Sequence, residues 1–200
     1  MGSSTGQPTT VGPTIVPQPP AVAVAGGSLV TLYNFCSQPD CADGSGPSAG
    51  LVQGADGNFY GTTTDYAFAN GCPGSPCGTV FKITPTGTLT TLYAFPGTSG
   101  YGPNAVLVQG TDGNFYGTTA LGGSFNCGNG SPLSCGTIFK ITPQGRVTTL
   151  YSFCEQFPGP DGHNPTGGLV QGSDGNFYGT TGFNENFELG TVFKITPLAR

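Results

Sequence analysis

The stretch GADGNFYGTT occupies residues 54–63, GTDGNFYGTT returns at 110–119, and GSDGNFYGTT at 172–181. Each copy sits in a longer unit. LVTLYNF (29–35), LTTLYAF (89–95) and VTTLYSF (147–153) open the units, and LVQG follows at 51, 107 and 169. GTVFKITP (78–85), GTIFKITP (136–143) and GTVFKITP (190–197) close them. A period of about 60 residues marks a repeat architecture, with the length variation confined to loops. Each unit reads as four short strands. Asp-Gly-Asn between LVQG and NFYGTT is a tight-turn signal, because Asp-Gly tolerates the positive φ that such a turn needs. Pro and Gly in ITPTGTLTT and ITPQGRVTT mark a second turn. Asp56, Asp112 and Asp174 therefore recur because the turn recurs.

The strand faces decide how the units pack. Along 78–85, Phe81 and Ile83 share one side and Val80 and Lys82 the other. Along 89–95, Leu89, Tyr93 and Phe95 oppose Thr90, Leu92 and Ala94. Apolar groups on both faces fit small sheets covered on both sides, as in propeller blades, better than one sheet with a solvated face. The fold class is all-β: three four-stranded units, about 29–88, 89–146 and 147–200, in a propeller-like arrangement. The NFYGTT strands are expected in equivalent positions around a pseudo-threefold axis. Residues 1–28 match no unit and read as an extended, Pro/Thr-rich arm.

Composition narrows the function. Charged residues make up 8% of the chain, against about 25% in ordinary soluble proteins. With a net charge of −5 and five Lys plus Arg, there is no basic stripe to hold nucleic acid. A nearly uncharged surface offers little repulsion between copies and permits self-association. No apolar run approaches the ~20 residues of a membrane helix, so no membrane insertion is expected. The first ten residues have neither the charged nor the apolar region of a signal peptide.

Six of the seven Cys fall into close pairs, Cys36/Cys41, Cys72/Cys77 and Cys127/Cys135, each in a Gly/Pro/Ser/Asn-rich loop. With one His in the chain, zinc is a poor explanation and local disulfides the better one. Such short closures contribute ~2 kcal/mol each, and they imply an oxidising, extracytoplasmic compartment. Cys154 is left open: free, paired with Cys36 or Cys41, or bridging to another chain.

GLVQGSDGNFYGTT and GTVFKITPLA together resemble the GloVer tandem repeat of secreted bacterial proteins, over roughly residues 29–200. The resemblance implies an exported, surface-associated, propeller-like protein and supplies no catalytic residues. Three units are fewer than the four blades of the smallest ordinary propellers. The chain also opens on a TLY-F strand and ends after a GTVFKITP strand, out of phase. The first strand either closes a ring against the last unit or fills a gap in a neighbouring molecule.

No catalytic constellation appears. His163, in PDGHNPTGG, stands near Asp161 but lacks a nucleophile motif, and reads as a solvated loop residue. Glu155, Glu185 and Glu188 are scattered, and Lys82, Lys140 and Lys194 recur with a strand, solvent-facing or paired with the turn aspartates. The chain is read as a non-enzyme without cofactor or metal. Asn58 with Tyr60, Asn114 with Tyr116 and Asn176 with Tyr178 are the candidate sugar-binding groups, since an aromatic ring beside an amide can stack on and hydrogen-bond a glycan; packing between units is the competing role. Asn129, in NGS, is a candidate glycan acceptor. In the arm, Thr14, Ile15, Val16, Ala21, Val22, Ala23 and Val24 form an apolar run that needs a surface to cover it. The expectation is a structural subunit of an extracellular or cell-surface bacterial filament. It would be a homopolymer built head-to-tail by this arm docking on the next copy, with a carbohydrate-binding propeller as the alternative.

Overall fold

A computed structural model describes residues 27–64, 77–96, 100–123, 135–154, 161–182 and 190–197. The chain divides into a unit Met1–Val30 and a unit Thr31–Arg200, and the described strands lie in the second. The arm residues Thr14–Val24, together with Cys72, Cys127 and Asn129, lie outside the described residues.

Three antiparallel sheets follow one another along the chain. Sheet I holds β1 (Val52–Gln53), β2 (Phe59–Thr63), β3 (Thr79–Ile83) and β4 (Leu89–Ala94). Sheet II repeats it with β5 (Val108–Gln109), β6 (Phe115–Thr119), β7 (Thr137–Ile141) and β8 (Val147–Ser152). Sheet III has β9 (Val170–Gln171), β10 (Phe177–Thr180) and β11 (Val192–Ile195). Within each sheet neighbours in sequence are neighbours in space. The tight turns cause this: Gly54 N–H donates to the Asn58 carbonyl at 2.9 Å and Gly57, at φ 80°, donates back to the Gly54 carbonyl at 2.9 Å. The only helix among the described residues is a single 3-10 turn, Pro39–Cys41.

The three NFYGTT strands hold equivalent places, as the repeat requires. Sheet I packs on sheet II and sheet II on sheet III through two apolar clusters. The first joins Tyr60 and Val80 of sheet I to Leu107, Phe115 and Phe139 of sheet II. The second joins Tyr116 and Ile138 to Leu169 and Phe177. Strand β3 thus buries Val80 toward the following sheet and sends Phe81 the other way, onto Phe35. Among the described residues the sheets are not joined into a ring. The first sheet and the last each keep an uncovered side: Leu51 is 53% exposed where Leu107 and Leu169 are 3% and 6%, and Val192 is 80% exposed where Val80 and Ile138 are 0% and 1%.

Two details fix the spacing. Gly117 lies between Leu107 and Phe139 so tightly that a Cβ would sit 2.7 Å from each. Buried threonines tie β2 to β3 and β6 to β7: the Thr63 and Thr79 hydroxyls bond at 2.8 Å, as do those of Thr119 and Thr137. A hydroxyl pair of this kind is fully satisfied inside the core, so its burial carries little penalty.

Cys36 is joined to Cys41 as expected, and Cys77 is in a disulfide. The pairing of Cys135 is corrected. It bonds Cys154, not Cys127, with Cα atoms 6.0 Å apart. The sheet explains the change: Thr137 faces Ser152 across β7 and β8, so continuing each strand by two residues brings the two sulfurs together. The bridge therefore spans strand ends rather than one loop, and Cys154 acquires a partner.

Two outcomes follow from the packing. Gly117→Ala is expected to lower stability by about 1–3 kcal/mol, the usual cost of overpacking, measured by denaturant unfolding. Non-reducing peptide mapping is expected to recover Cys135 linked to Cys154; recovery of Cys135 linked to Cys127 would refute that pairing.

Candidate functional site

The repeated polar cluster is built by the Asp-Gly-Asn turn. Asp56 accepts the Asn58 amide N–H at 3.2 Å on one carboxylate oxygen. Its other oxygen accepts the Asn58 side-chain amide at 2.7 Å and the Tyr60 hydroxyl at 2.8 Å. Asp112 with Asn114 and Tyr116, and Asp174 with Asn176 and Tyr178, repeat this arrangement. The Asn58 amide is the main influence holding the Asp56 carboxyl below its ordinary value, against burial and with help from the Tyr60 hydroxyl. At Asp112 burial pushes upward, and the bonds from Asn114 and Tyr116 outweigh it. Burial, then the bond to Asp56, pushes the Tyr60 hydroxyl up to about 12. Lys82 lies opposite Tyr60 in the β2–β3 register and favours the Asp56 charge from there.

The hydroxyls aim the rings. Tyr60 stacks on Phe115 with centroids 3.9 Å apart and Tyr116 on Phe177 at 4.0 Å. Both tyrosines are buried, so neither ring offers a face to a sugar. The packing role displaces the sugar-binding one at Asn58 with Tyr60 and at Asn114 with Tyr116. Tyr178, at the end of the row, is half-buried.

His163 is also corrected: it is buried, not solvated. Six residues before LVQG, it takes the place that Tyr101 holds before the second copy, a position that the packing covers in both. Asp161 serves the loop, accepting the Tyr151 hydroxyl and the Cys154 N–H, each at 2.9 Å. Asp43 plays the same part ten residues after Tyr33, accepting its hydroxyl at 2.7 Å and the Ser37 N–H at 2.9 Å. Burial opposes the Asp43 charge, but the bonds from Ser37 and Tyr33 prevail and hold its carboxyl at about 2. Among the described residues no group of three or more His, Cys, Asp or Glu is placed to hold a metal ion, and no helix is long and apolar enough to cross a membrane.

What remains chemically available lies at the two uncovered sides. Between sheets, Ala55 N–H donates to the Gln109 side-chain oxygen and Thr111 N–H to that of Gln171, both at 3.0 Å. The Thr62 hydroxyl donates to the Ala105 carbonyl at 3.4 Å and Thr118 to that of Gly167 at 3.2 Å. By position in the repeat, Ser173, Tyr178 and Thr180 correspond to Thr111, Tyr116 and Thr118. Gln53, Ala49 and Phe59 correspond to Gln109, Ala105 and Phe115. Beside the latter lies a hollow of about 400 Å³ lined by Leu32, Phe35, Pro47, Leu51, Phe59 and Phe81, among others. Sequence reading named the Tyr and Asn residues but missed Gln53, Gln109 and Gln171. The signal was present, since each is the third residue of LVQG.

Fold and contacts together define a tandem-repeat β protein whose conserved-in-copy residues serve sheet-to-sheet stacking. The chain belongs to the Gloeobacter/Verrucomicrobia repeat family, whose model matches residues 21–200. No curated protein matches it. Among solved structures it is similar to an X-ray structure provisionally described as a gluconolactonase, at 16% identity and a TM-score of 0.42. The match covers 74% of this chain and 43% of that one, so this chain spans under half of that structure's length.

The shifted Asp43 carboxylate and Tyr60 phenol make stability depend on pH on the acid and the alkaline side. Asp43, with its folded value depressed to about 2, contributes stability above the ordinary carboxylate value of about 4. That contribution is expected to fade as pH falls from there through about 2. Tyr60, raised to about 12, contributes below the ordinary phenol value of about 10, and its share is expected to be lost as pH rises from there through the folded value. Denaturant midpoints measured across both limbs check this; a flat profile on either side refutes the corresponding assignment.

Proposed function

We propose that this protein is a non-enzymatic structural subunit of an extracellular or cell-surface bacterial filament, joined head-to-tail. The observation that carries the reading is the match between its two uncovered sides. One presents Tyr178, Thr180 and Val192; the other presents Phe59, Leu51 and the hollow beside them. Each is half of the contact that sheets I and II already make with each other. A surface that complements a different surface of the same molecule makes a heterologous contact, which generates rings if the rotation closes and helical filaments if it does not. Joined in this way, successive copies continue the propeller-like stacking of blades past the end of one chain. The disulfides support an oxidising compartment, and the low charge leaves little to keep copies apart.

The arm is the second element of the assembly. Burying Val or Ile contributes roughly 1.5–3 kcal/mol each, and Ile15, Val16, Val22 and Val24 supply four such groups. Ordering the segment costs about 1–2 kcal/mol per residue before proline reduces it, so docking of the arm on the next copy needs backbone hydrogen bonds as well.

Electron microscopy of the concentrated full chain without ligand tests the function. Long regular polymers are expected. A monodisperse protein retained on a glycan matrix would replace this reading with a carbohydrate-binding one. Deleting residues 1–28 is expected to leave a folded monomer by circular dichroism and sedimentation; unimpaired polymerisation of that variant would remove the arm from the mechanism.

A further inference from the structure

Among the described residues, sheet III has three strands where the other two have four. Strand β3 is flanked by β4 and β7 by β8, whereas among the described residues β11 has β10 alone beside it. Among the described residues, no strand pairs with its outer hydrogen-bonding edge, Val192–Ile195. A hollow of about 250 Å³ lies along it, walled by Ile138, Tyr151 and Phe153 of sheet II and by β11. Lys194 is the single charge on this edge, a thin defence for a strand that would otherwise template pairing.

A segment with the fourth strand's sequence lies at 29–35. LVTLYNF, Leu29–Phe35, aligns without a gap to Leu89–Phe95 and Val147–Phe153, the segments that contain β4 and β8. Residues of this segment already make the contacts that β4 and β8 make with the sheet that follows them. Phe35 meets Phe81 edge-on at 5.0 Å, as Phe95 meets Phe139 and Phe153 meets Phe193, both at 5.3 Å. The Leu32 carbonyl lies where a Cβ on Gly87 would come within 2.6 Å of it, and the Leu92 carbonyl crowds Gly145 in the same way. Yet residues 29–34 pair with no strand. Among the described residues, sheet III has three strands and this segment, of fourth-strand sequence, has no sheet.

We propose that Leu29–Phe35 of one copy is the fourth strand of sheet III of another copy, so that one β-sheet is shared between two molecules. The proposal rests on the head-to-tail reading and gives it a register. In sheet I, Ile83 faces Leu89, Lys82 faces Thr90, Phe81 faces Thr91 and Val80 faces Tyr93, with Leu92 bulged out of the pairing. The shared sheet therefore sets Ile195 against Leu29, Lys194 against Val30, Phe193 against Thr31 and Val192 against Tyr33, with Leu32 bulged. Strand addition supplies main-chain hydrogen bonds, and alternate side chains supply specificity. Pairing with β11 of the same chain would require three sheets to close a ring, below the smallest propellers, because Phe35 is fixed on sheet I by Phe81.

The register is testable with Val30→Cys and Lys194→Cys in one full-length chain, both positions being exposed. Mild oxidation of the assembled double variant is expected to give a ladder of covalent multimers that reduction abolishes. Each single variant, and the out-of-register pair Val30→Cys with Thr191→Cys, is expected to give none. A ladder from the out-of-register pair alone overturns the register. A covalently closed monomer overturns the proposal in favour of pairing within one chain. Filaments that form but do not cross-link overturn strand sharing and leave the filament reading standing. A ladder that stops at closed two-copy rings in the microscope upholds strand sharing and overturns the filament reading. Neither assembly nor cross-link overturns both.

Discussion

The stack of Tyr60 on Phe115, and its copy of Tyr116 on Phe177, is the contact from which the rest of the structure is built. An aromatic pair of this kind contributes about 0.5–1.5 kcal/mol beyond the area it buries. It is useful only if the ring is aimed. The Asp-Gly-Asn turn aims it, because one carboxylate holds both the turn and the tyrosine hydroxyl. Turn, strand and inter-sheet contact are thus one device, and copying ten residues copies all three. The glutamine clamp and the threonine-to-carbonyl bond then fix how far each sheet slides on the next.

Such a device has a direction. The tyrosine of one unit always meets the phenylalanine of the following unit, never the reverse. A row of units must therefore expose an unspent tyrosine at one end and an unspent phenylalanine at the other. The half-buried Tyr178 and Phe59 are the consequence. The same polarity appears in the outer strand, where Phe95 and Phe153 lie on the next sheet's phenylalanine while Phe35 begins the series. A directional contact with unused halves is what assembly by repetition requires.

Charge has a small and local part here. The turn aspartates are stabilised chiefly by amides and hydroxyls, with a smaller contribution from the lysine opposite, while Asp43 anchors the loop after residues 29–35 and Asp161 the loop after β8. Neutral donors around a carboxylate tolerate salt better than a surface ion pair does, since screening acts on both charges of the latter. A chain with few charged residues can still satisfy its buried polar groups in this way.

The sequence by itself determined the repeat, its turns and both faces of the GTVFKITP strands, but not which strands share a sheet: the segments at 89–94 and 147–152, read as opening their units, complete sheets I and II, while sheet III has three strands and 29–34 form none. Period-two alternation and Asp-Gly turn chemistry are local properties, so they can be read along the chain. It also located Tyr60, Tyr116 and Tyr178, but it could not say whether their rings met sugar or Phe115, since that depends on where the next sheet lies. The disulfide of Cys135 went astray for the same reason. Nearness in sequence pointed to Cys127, while the β7–β8 register brought Cys154 within reach. His163 looked solvated in a Gly/Pro loop, and only the packing of that loop beneath its neighbours buried it. Tertiary structure decided each of these because burial and pairing across a sheet are set by residues far apart along the chain.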